Sequence, residues 1–410
     1  MKKIILLIQT TLFILTLTSA YSQSGWFSQN SGTSAHLWGV FFTDANNGTA
    51  VGSNGTILRT TNGGTNWTAQ TSGTSVYLWG AFFTDANNGT AVGDNGTILR
   101  TTNGGINWTL QSSPTTAGLF DVFFFDVNTG TVVGGNGRIL RTTNGGTNWI
   151  FQTFGIHTYH FYGVSFADAN TGMAVANWGI IRKTTNGGTN WTTLYIITPY
   201  DLMDVSFIDI NTGTVVGWWG TILRTTNGGM NWTLQAIPTT AGLLGVFFTD
   251  VNIGTVVGGD GTILRTTNGG INWFLQSSGT SNALRDVCFI NTNIGTVVGN
   301  YGIILRTTTG GTTFINQISN EIPERFSLYQ NYPNPFNPTT NIKFDIQKTS
   351  ATKLVVYDAL GREVATLINE ELKTGSYQTD WDGSNYTRGV YFYTLQAGDY
   401  IETKRMVMIK

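Results

Sequence analysis

Seven tryptophans set the frame for this chain: Trp26, Trp67, Trp108, Trp149, Trp191, Trp232 and Trp273 recur at intervals of 41 or 42 residues, and Phe314 stands at the next position. Eight marks at a fixed period enclose seven copies of one unit, and a unit of that length is too small to fold alone. It must bury its apolar surface against its neighbours.

The unit reads as four short strands. In the first copy Leu37-Trp38-Gly39-Val40-Phe41-Phe42 is an apolar strand and Thr43-Asp44-Ala45-Asn46-Asn47-Gly48 a turn rich in residues that tolerate left-handed backbone. Thr49-Ala50-Val51-Gly52 follows as a second strand, Ser53-Asn54-Gly55 as a tight turn, Thr56 to Thr60 as a third strand, and Trp67-Thr68-Ala69-Gln70 as a fourth. No helical periodicity interrupts the pattern. The fold class expected is all-β: a seven-bladed β-propeller. Pairs such as Val40 with Phe42, Val164 with Phe166 and Val246 with Phe248 are expected to pack between blades. Each buried tryptophan adds about 2–3 kcal/mol by area. The segment around Trp26 resembles a fourth strand with no blade in front of it, so the expected closure has this strand completing blade seven. In the alternative, the degraded copy ending at Phe314 closes the ring.

Composition narrows the function classes. Charged residues make up only 11% of the chain, glycine counts 52, and the formal net charge is −1. Basic residues adjoin only in the pairs Lys2-Lys3, Arg182-Lys183 and Lys404-Arg405, too little to neutralise a phosphate backbone, so no nucleic-acid partner is expected. A single cysteine, Cys288, in the apolar run Val287 to Ile290, rules out an intramolecular disulfide and reads as core filler. Residues 1–22 combine Lys2 and Lys3, the apolar runs Ile4 to Ile8 and Leu12 to Leu17, and Thr18-Ser19-Ala20, which reads as a cleaved signal peptide. No other run is long and apolar enough to span a bilayer, so no integral membrane segment is expected in the mature chain. The many N-x-T triplets, such as Asn54-Gly55-Thr56, read as by-products of turn chemistry.

The segment Thr60-Thr61-Asn62-Gly63-Gly64-Thr65-Asn66-Trp67 fits the Asp-box signature, and six copies fit it. With the G-x-I-L-R-T strands, the unit resembles the propellers related to the photosystem II stability and assembly factor, over about residues 24–316. The resemblance implies seven blades and binding rather than catalysis, and carries over no catalytic residue. Asp boxes also occur in sialidases, but residues 24–316 contain no glutamate and no Arg-Ile-Pro segment, which argues against glycosidase acid/base chemistry. After four prolines between Pro323 and Pro338, the segments Tyr332 to Pro338, Ile342-Lys343-Phe344, Val355 to Asp358, Trp381-Asp382-Gly383 and Gly389 to Tyr393 read as a small Ig-like β-sandwich. They are similar to the type A sorting domain of type IX secretion, which implies the type IX translocon as a partner, passage across the outer membrane, and then release or attachment at the cell surface. The domains expected are therefore a signal peptide over 1–22, the propeller over 23–316, a linker over 317–331 and the sorting domain over 332–410.

Three sets of residues are candidates for function. Arg59, Arg100, Arg141, Lys183, Arg224, Arg265 and Arg306 supply one cation per blade, readable as an anion-binding collar or as partners of Asp44, Asp85, Asp126, Asp168, Asp209, Asp250 and Asn291, fifteen residues earlier in each blade. Asp121, Asp204 and Asp286 stand on the innermost strands of blades three, five and seven, where the other blades carry Gly39, Gly80, Gly163 and Gly245. They are readable as solvated channel residues or as oxygen ligands for a hard cation. His157 and His160 have metal-like spacing without further ligands, whereas Tyr159, Tyr162, Trp178, Trp218 and Trp219 suggest an aromatic recognition patch. The function expected is a secreted or cell-surface, non-catalytic propeller that binds a protein or glycan, with no cofactor and no metal. A carbohydrate-active enzyme and a structural envelope component are the alternatives.

Overall fold

The computed structural model describes residues 25–152, 159–195, 198–311, 315–319, 321–383 and 386–409. The expected signal peptide lies outside the described residues.

Seven four-stranded antiparallel sheets follow one another along the chain. Blade one consists of Leu37–Phe42, Gly48–Gly52, Ile57–Thr60 and Thr68–Gln70, and blades two to seven begin at Leu78, Leu119, Phe161, Leu202, Leu243 and Leu284. The innermost strand of each blade touches that of the next, and blade seven touches blade one, so the sheets close into a ring around an axis. Within a blade, burial peaks at the two middle strands and falls at the outer one. The second strand is buried at every residue because a neighbouring blade covers each of its faces, while the outer strand Thr68–Gln70 is largely exposed. This explains why the second strand reads as an unbroken run of small and β-branched residues, Gly-Thr-Ala-Val-Gly, rather than as an alternation.

The expected inter-blade pairs are in place: Val40, Phe42, Val164, Phe166, Val246 and Phe248 are all buried. The Phe42 ring lies over Gly48, where an added Cβ would stand 2.3 Å from a ring carbon. Trp67 meets the other side of that ring edge-on at 5.8 Å, and the same contact recurs from Trp108 to Phe83 through Trp273 to Phe248. The turn before each of these tryptophans is held by its own side chains. Thr60 Oγ1 accepts the Gly64 amide at 2.8 Å, and Asn62 Oδ1 accepts the Asn66 amide at 3.0 Å.

The ring is sealed by the strand nearest the N-terminus. Phe27–Gln29 pairs antiparallel with Ile304–Thr307 and becomes the fourth strand of blade seven. Trp26 Nε1 donates to Gln276 of blade six at 2.8 Å, and Trp67 Nε1 donates to Gln29, so the sealing strand is tied to both neighbours. The segment after the last repeat turn leaves the propeller. Ile315–Ser319 pairs with Gly375–Asp382, and Ser327–Leu328 pairs with Thr339–Ile346. The stretch 317–331, expected as a linker, therefore supplies strands to the C-terminal module, as do residues 315 and 316. Glu321, Pro323, Glu324 and Arg325 disguised these strands because they fill the short stretch between them and give it the composition of a tether.

The C-terminal module is two four-stranded antiparallel sheets around one core that includes Phe336, Phe344, Leu354, Trp381, Tyr393 and Met406. Tyr393 is fully buried, with its hydroxyl donating to the Tyr329 carbonyl and accepting the Asn331 amide.

Candidate functional site: the aromatic face of the propeller

The cationic series forms neither a collar nor a set of ion pairs. Arg59 Nη1 donates to Thr49 Oγ1 on its own blade, and Nη2 donates to the Ala86 carbonyl on the next. Its guanidinium lies 5.3 Å from the Phe83 ring centre. Arg100, Arg141, Arg224, Arg265 and Arg306 repeat this arrangement toward Val127, Ala169, Val251, Thr292 and Ala45, and Lys183 reaches the Gly228 carbonyl. Burial pushes Arg265 down to about 10. Each base is an inter-blade latch, with Arg306 latching across the seam to blade one. The aspartates capture their own turns instead: Asp44 accepts the amides of Asn46 and Asn47, and the Asn47 side-chain amide holds its carboxyl below the usual range. Among the described residues the ion pairs all lie in the C-terminal module.

The three channel acids are staples. Asp121 accepts the amide of Val122 through Oδ1 and that of Val164, on the next blade, through Oδ2. Asp204 does the same with Val205 and Val246, and Asp286 with Val287 and Val40. Each occupies the space beside the preceding blade's glycine, Gly80, Gly163 or Gly245; an added Cβ at Gly163 would stand 2.9 Å from Asp204 Cα. The carboxyls keep a share of accessible surface on the channel but are walled by protein. Desolvation pushes Asp121 up to about 7 and Asp286 up to about 6, and it raises Asp204 well above the carboxylate range. Among the described residues no three of His, Cys, Asp or Glu converge on a point that would hold a metal ion. His157 lies outside the described residues. The His160 Nδ1 accepts the Asn136 amide at 3.4 Å.

The aromatic residues behave differently. In every blade a β-bulge shifts the register of the innermost strand between its first and third residues, as between Leu37 and Gly39 in blade one. The residue skipped by the bulge stands at the channel mouth, on the face that also carries the turns between second and third strands. At this level Trp38, Trp79, Phe120 and Tyr162 form a continuous arc with ring separations of 4.7, 5.8 and 5.7 Å. Arg285 of blade seven lies over Trp38 at 4.4 Å, and Trp79 Nε1 donates to Asp94.

Around this mouth stand the turn residues. Each turn between second and third strands puts its middle residue in the left-handed region, and in four blades that residue is Asn54, Asn95, Asn136 or Asp260, the types that tolerate it. In the other three it is Trp178, Trp219 or Tyr301, at φ near 58°. A bulky side chain there costs on the order of 1 kcal/mol or more. These rings remain 56%, 68% and 63% exposed, so packing does not explain them. The next blade locks two of them: Asp201 accepts the Trp178 amide at 3.0 Å, and His36 Nδ1 accepts the Tyr301 amide at 3.3 Å. Trp218 and Tyr200 are also exposed beside Trp219.

Of the aromatic candidates, Trp178, Trp218 and Trp219 thus lie together on this face. Tyr159 is half-buried, stacked edge-on against Phe161 with its hydroxyl bonded to Arg182, and braces the fold. The sequence reading missed Trp38, Trp79, Phe120, Tyr301 and His36. Their signal was the large residue between the buried first position and the Gly or Asp of each innermost strand, which is visible only once the bulge is known.

Residues 18–110, 107–233 and 230–330 match the family described as photosynthesis system II assembly factor YCF48. The chain belongs to the YCF48 family. Residues 330–410 match the secretion system C-terminal sorting domain. Among solved structures, YCF48 bound to D1 peptide shares 22% identity at a TM-score of 0.61, covering 71% of this chain and 99% of its own. YCF48 from Cyanidioschyzon merolae gives the same identity and score over 69% of this chain and 99% of its own. A GH74 enzyme from Niastella koreensis matches at 14% identity and a TM-score of 0.57, over 94% of this chain and 75% of its own. These likenesses carry the fold alone. No curated protein matches the chain. This YCF48-type propeller carries a type IX sorting tail, which implies secretion with attachment at the cell surface or release. No helix among the described residues is long and apolar enough to cross a membrane.

Proposed function

We propose that this protein is a non-catalytic binding module of the cell exterior, and that its ligand, a protein or a glycan, seats on the aromatic face at the channel mouth. One observation carries the reading: three bulky aromatics occupy strained turn positions that equivalent blades fill with Asn or Asp, and they leave their rings in solvent. Strain retained without packing gain is the mark of a site kept for contact. Among the described residues the arginines of the opposite face are spent as latches. The channel carboxyls are committed to backbone amides, which leaves no free acid/base pair among them and favours binding over turnover.

The test is binding of the full chain to arrays of immobilised peptides and glycans, with W79A/Y301N as the comparison. Binding that falls at least tenfold in the variant, without product release, is the expected result. Ligands retained equally by this variant and by W178N/W219N, or turned over by the protein, would overturn the reading.

A further inference from the structure

We infer that the part of this face formed by blades four, five and six is a subsite for an uncharged polysaccharide; the inference rests on the binding reading above and names its ligand class. Its aromatic residues are Trp178, Trp218, Trp219 and Tyr200. All four are exposed, with Trp219 and Tyr200 6.3 Å apart between ring centres. Their positions are fixed. Trp178 is held through its backbone by Asp201, Trp219 by its left-handed turn, and Trp218 lies against Gly242, where an added Cβ would come within 2.7 Å of the indole. Rings held this way lose little freedom when a ligand arrives.

Charge selects the ligand class. The turns Asn177-Trp178-Gly179 and Trp218-Trp219-Gly220 and the loop from Ala236 to Gly242 contain no charged side chain, Thr198 to Asp201 adds Asp201, and the blade-six turn adds Asp260. No cation stands here to meet a phosphate, sulfate or uronate, so an acidic polymer or nucleic acid has no counter-charge. A protein partner's apolar core would need a contiguous aliphatic patch. Here flat rings are separated by Thr, Asn, Gly and Pro. A pyranose matches that alternation: its C–H face lies on an indole while its hydroxyls meet amides, hydroxyls and the Asp201 carboxylate at the edge.

The test uses native gels of the full chain cast with mixed-linkage β-glucan, xyloglucan, xylan, galactomannan or starch, comparing wild type with W178N/W219N. Asparagine is the residue at the equivalent positions 54, 95 and 136, so the variant keeps the turn, which an unchanged circular dichroism spectrum would verify. Retardation by at least one polymer, with apparent affinity at least tenfold weaker in the variant, is expected. The inference is overturned if none of the polymers retards the protein, or if retardation survives the substitutions. It is also overturned if W178N/W219N abolishes binding to phosphatidylcholine vesicles or to immobilised peptides instead. Those failures leave the broader reading standing wherever W79A/Y301N still abolishes binding to another ligand.

Discussion

Acidification should tighten the propeller, because its three channel aspartates are held in a place that disfavours their charge. Asp286 titrates at about 6 and Asp121 at about 7 in the fold, against 3.8 in an unfolded chain, and Asp204 is raised in the same direction. Between those values the folded chain keeps protons that the unfolded chain has released, so stability falls as pH rises. At about 1.4 kcal/mol per pKa unit, Asp286 alone makes about 3 kcal/mol conditional on pH. Water in the channel discounts the sum for Asp121 and Asp286 to on the order of 5 kcal/mol, and Asp204 acts in the same direction. The turn carboxyls Asp44 and Asp168 are shifted downward; their contribution is present above about pH 4 and lost below it, so the optimum lies near pH 4–5. The assay is urea unfolding followed by tryptophan fluorescence, which reports on the propeller because twelve of the thirteen tryptophans precede residue 300. The midpoint should drop steadily from pH 4.5 to 7.5 in the wild type. It should be nearly flat in D121N/D204N/D286N, which also loses about 1–3 kcal/mol for each amide left without an acceptor. A wild-type midpoint that is level or rising over that range would refute the argument and mean that these carboxyls ionise freely.

Three further outcomes follow from the packing. Replacing Arg224 by alanine removes bonds to Thr214 and Val251 and the contact with Phe248; a loss of about 2–4 kcal/mol is expected. R224K, which imitates Lys183, should cost less than R224A in the same urea titration. Gly163→Ala places its methyl against Asp204 and should destabilise by about 1–3 kcal/mol, whereas an equal stability in thermal unfolding would mean that the channel has slack. The Cys288 thiol, buried and pushed up to about 12 by that burial, should resist a thiol-specific chromogenic reagent in the native protein and react fully in denaturant.

The ring was readable from the chain because its period, strand patterns and turn chemistry agree with one another at every copy. Even the closing strand was legible, since the segment at Trp26 carries the residues of a fourth strand with no blade before it. The latches were misread for a definable reason. Spacing alone puts Arg59 and Asp44 at one end of a blade, but it cannot tell that the arginine points into the next blade, where a carbonyl and a Phe ring compete for it. Charge parity between the two series suggested pairs, while each aspartate was already satisfied by amides two and three residues on. The aromatic face was half visible: Trp178 and Trp219 stand out because indole is foreign to a turn of Asn and Gly. Trp38 and Trp79 look like core until the bulge turns them toward the channel mouth. The strands at 315–319 and 327–328 were hidden by composition that usually marks a tether.

Sealing the ring with Phe27–Gln29 has a consequence for how the molecule is made. The first three residues of the circle must wait, unpartnered, until Ile304–Thr307 has been synthesised and delivered, so the chain cannot finish folding in the order in which it emerges. Residues 315–319, which the repeat would have assigned to that same place, are instead knitted into the tail. A cut after Gly311 would therefore detach the tail with all its own strands and leave the circle unbroken.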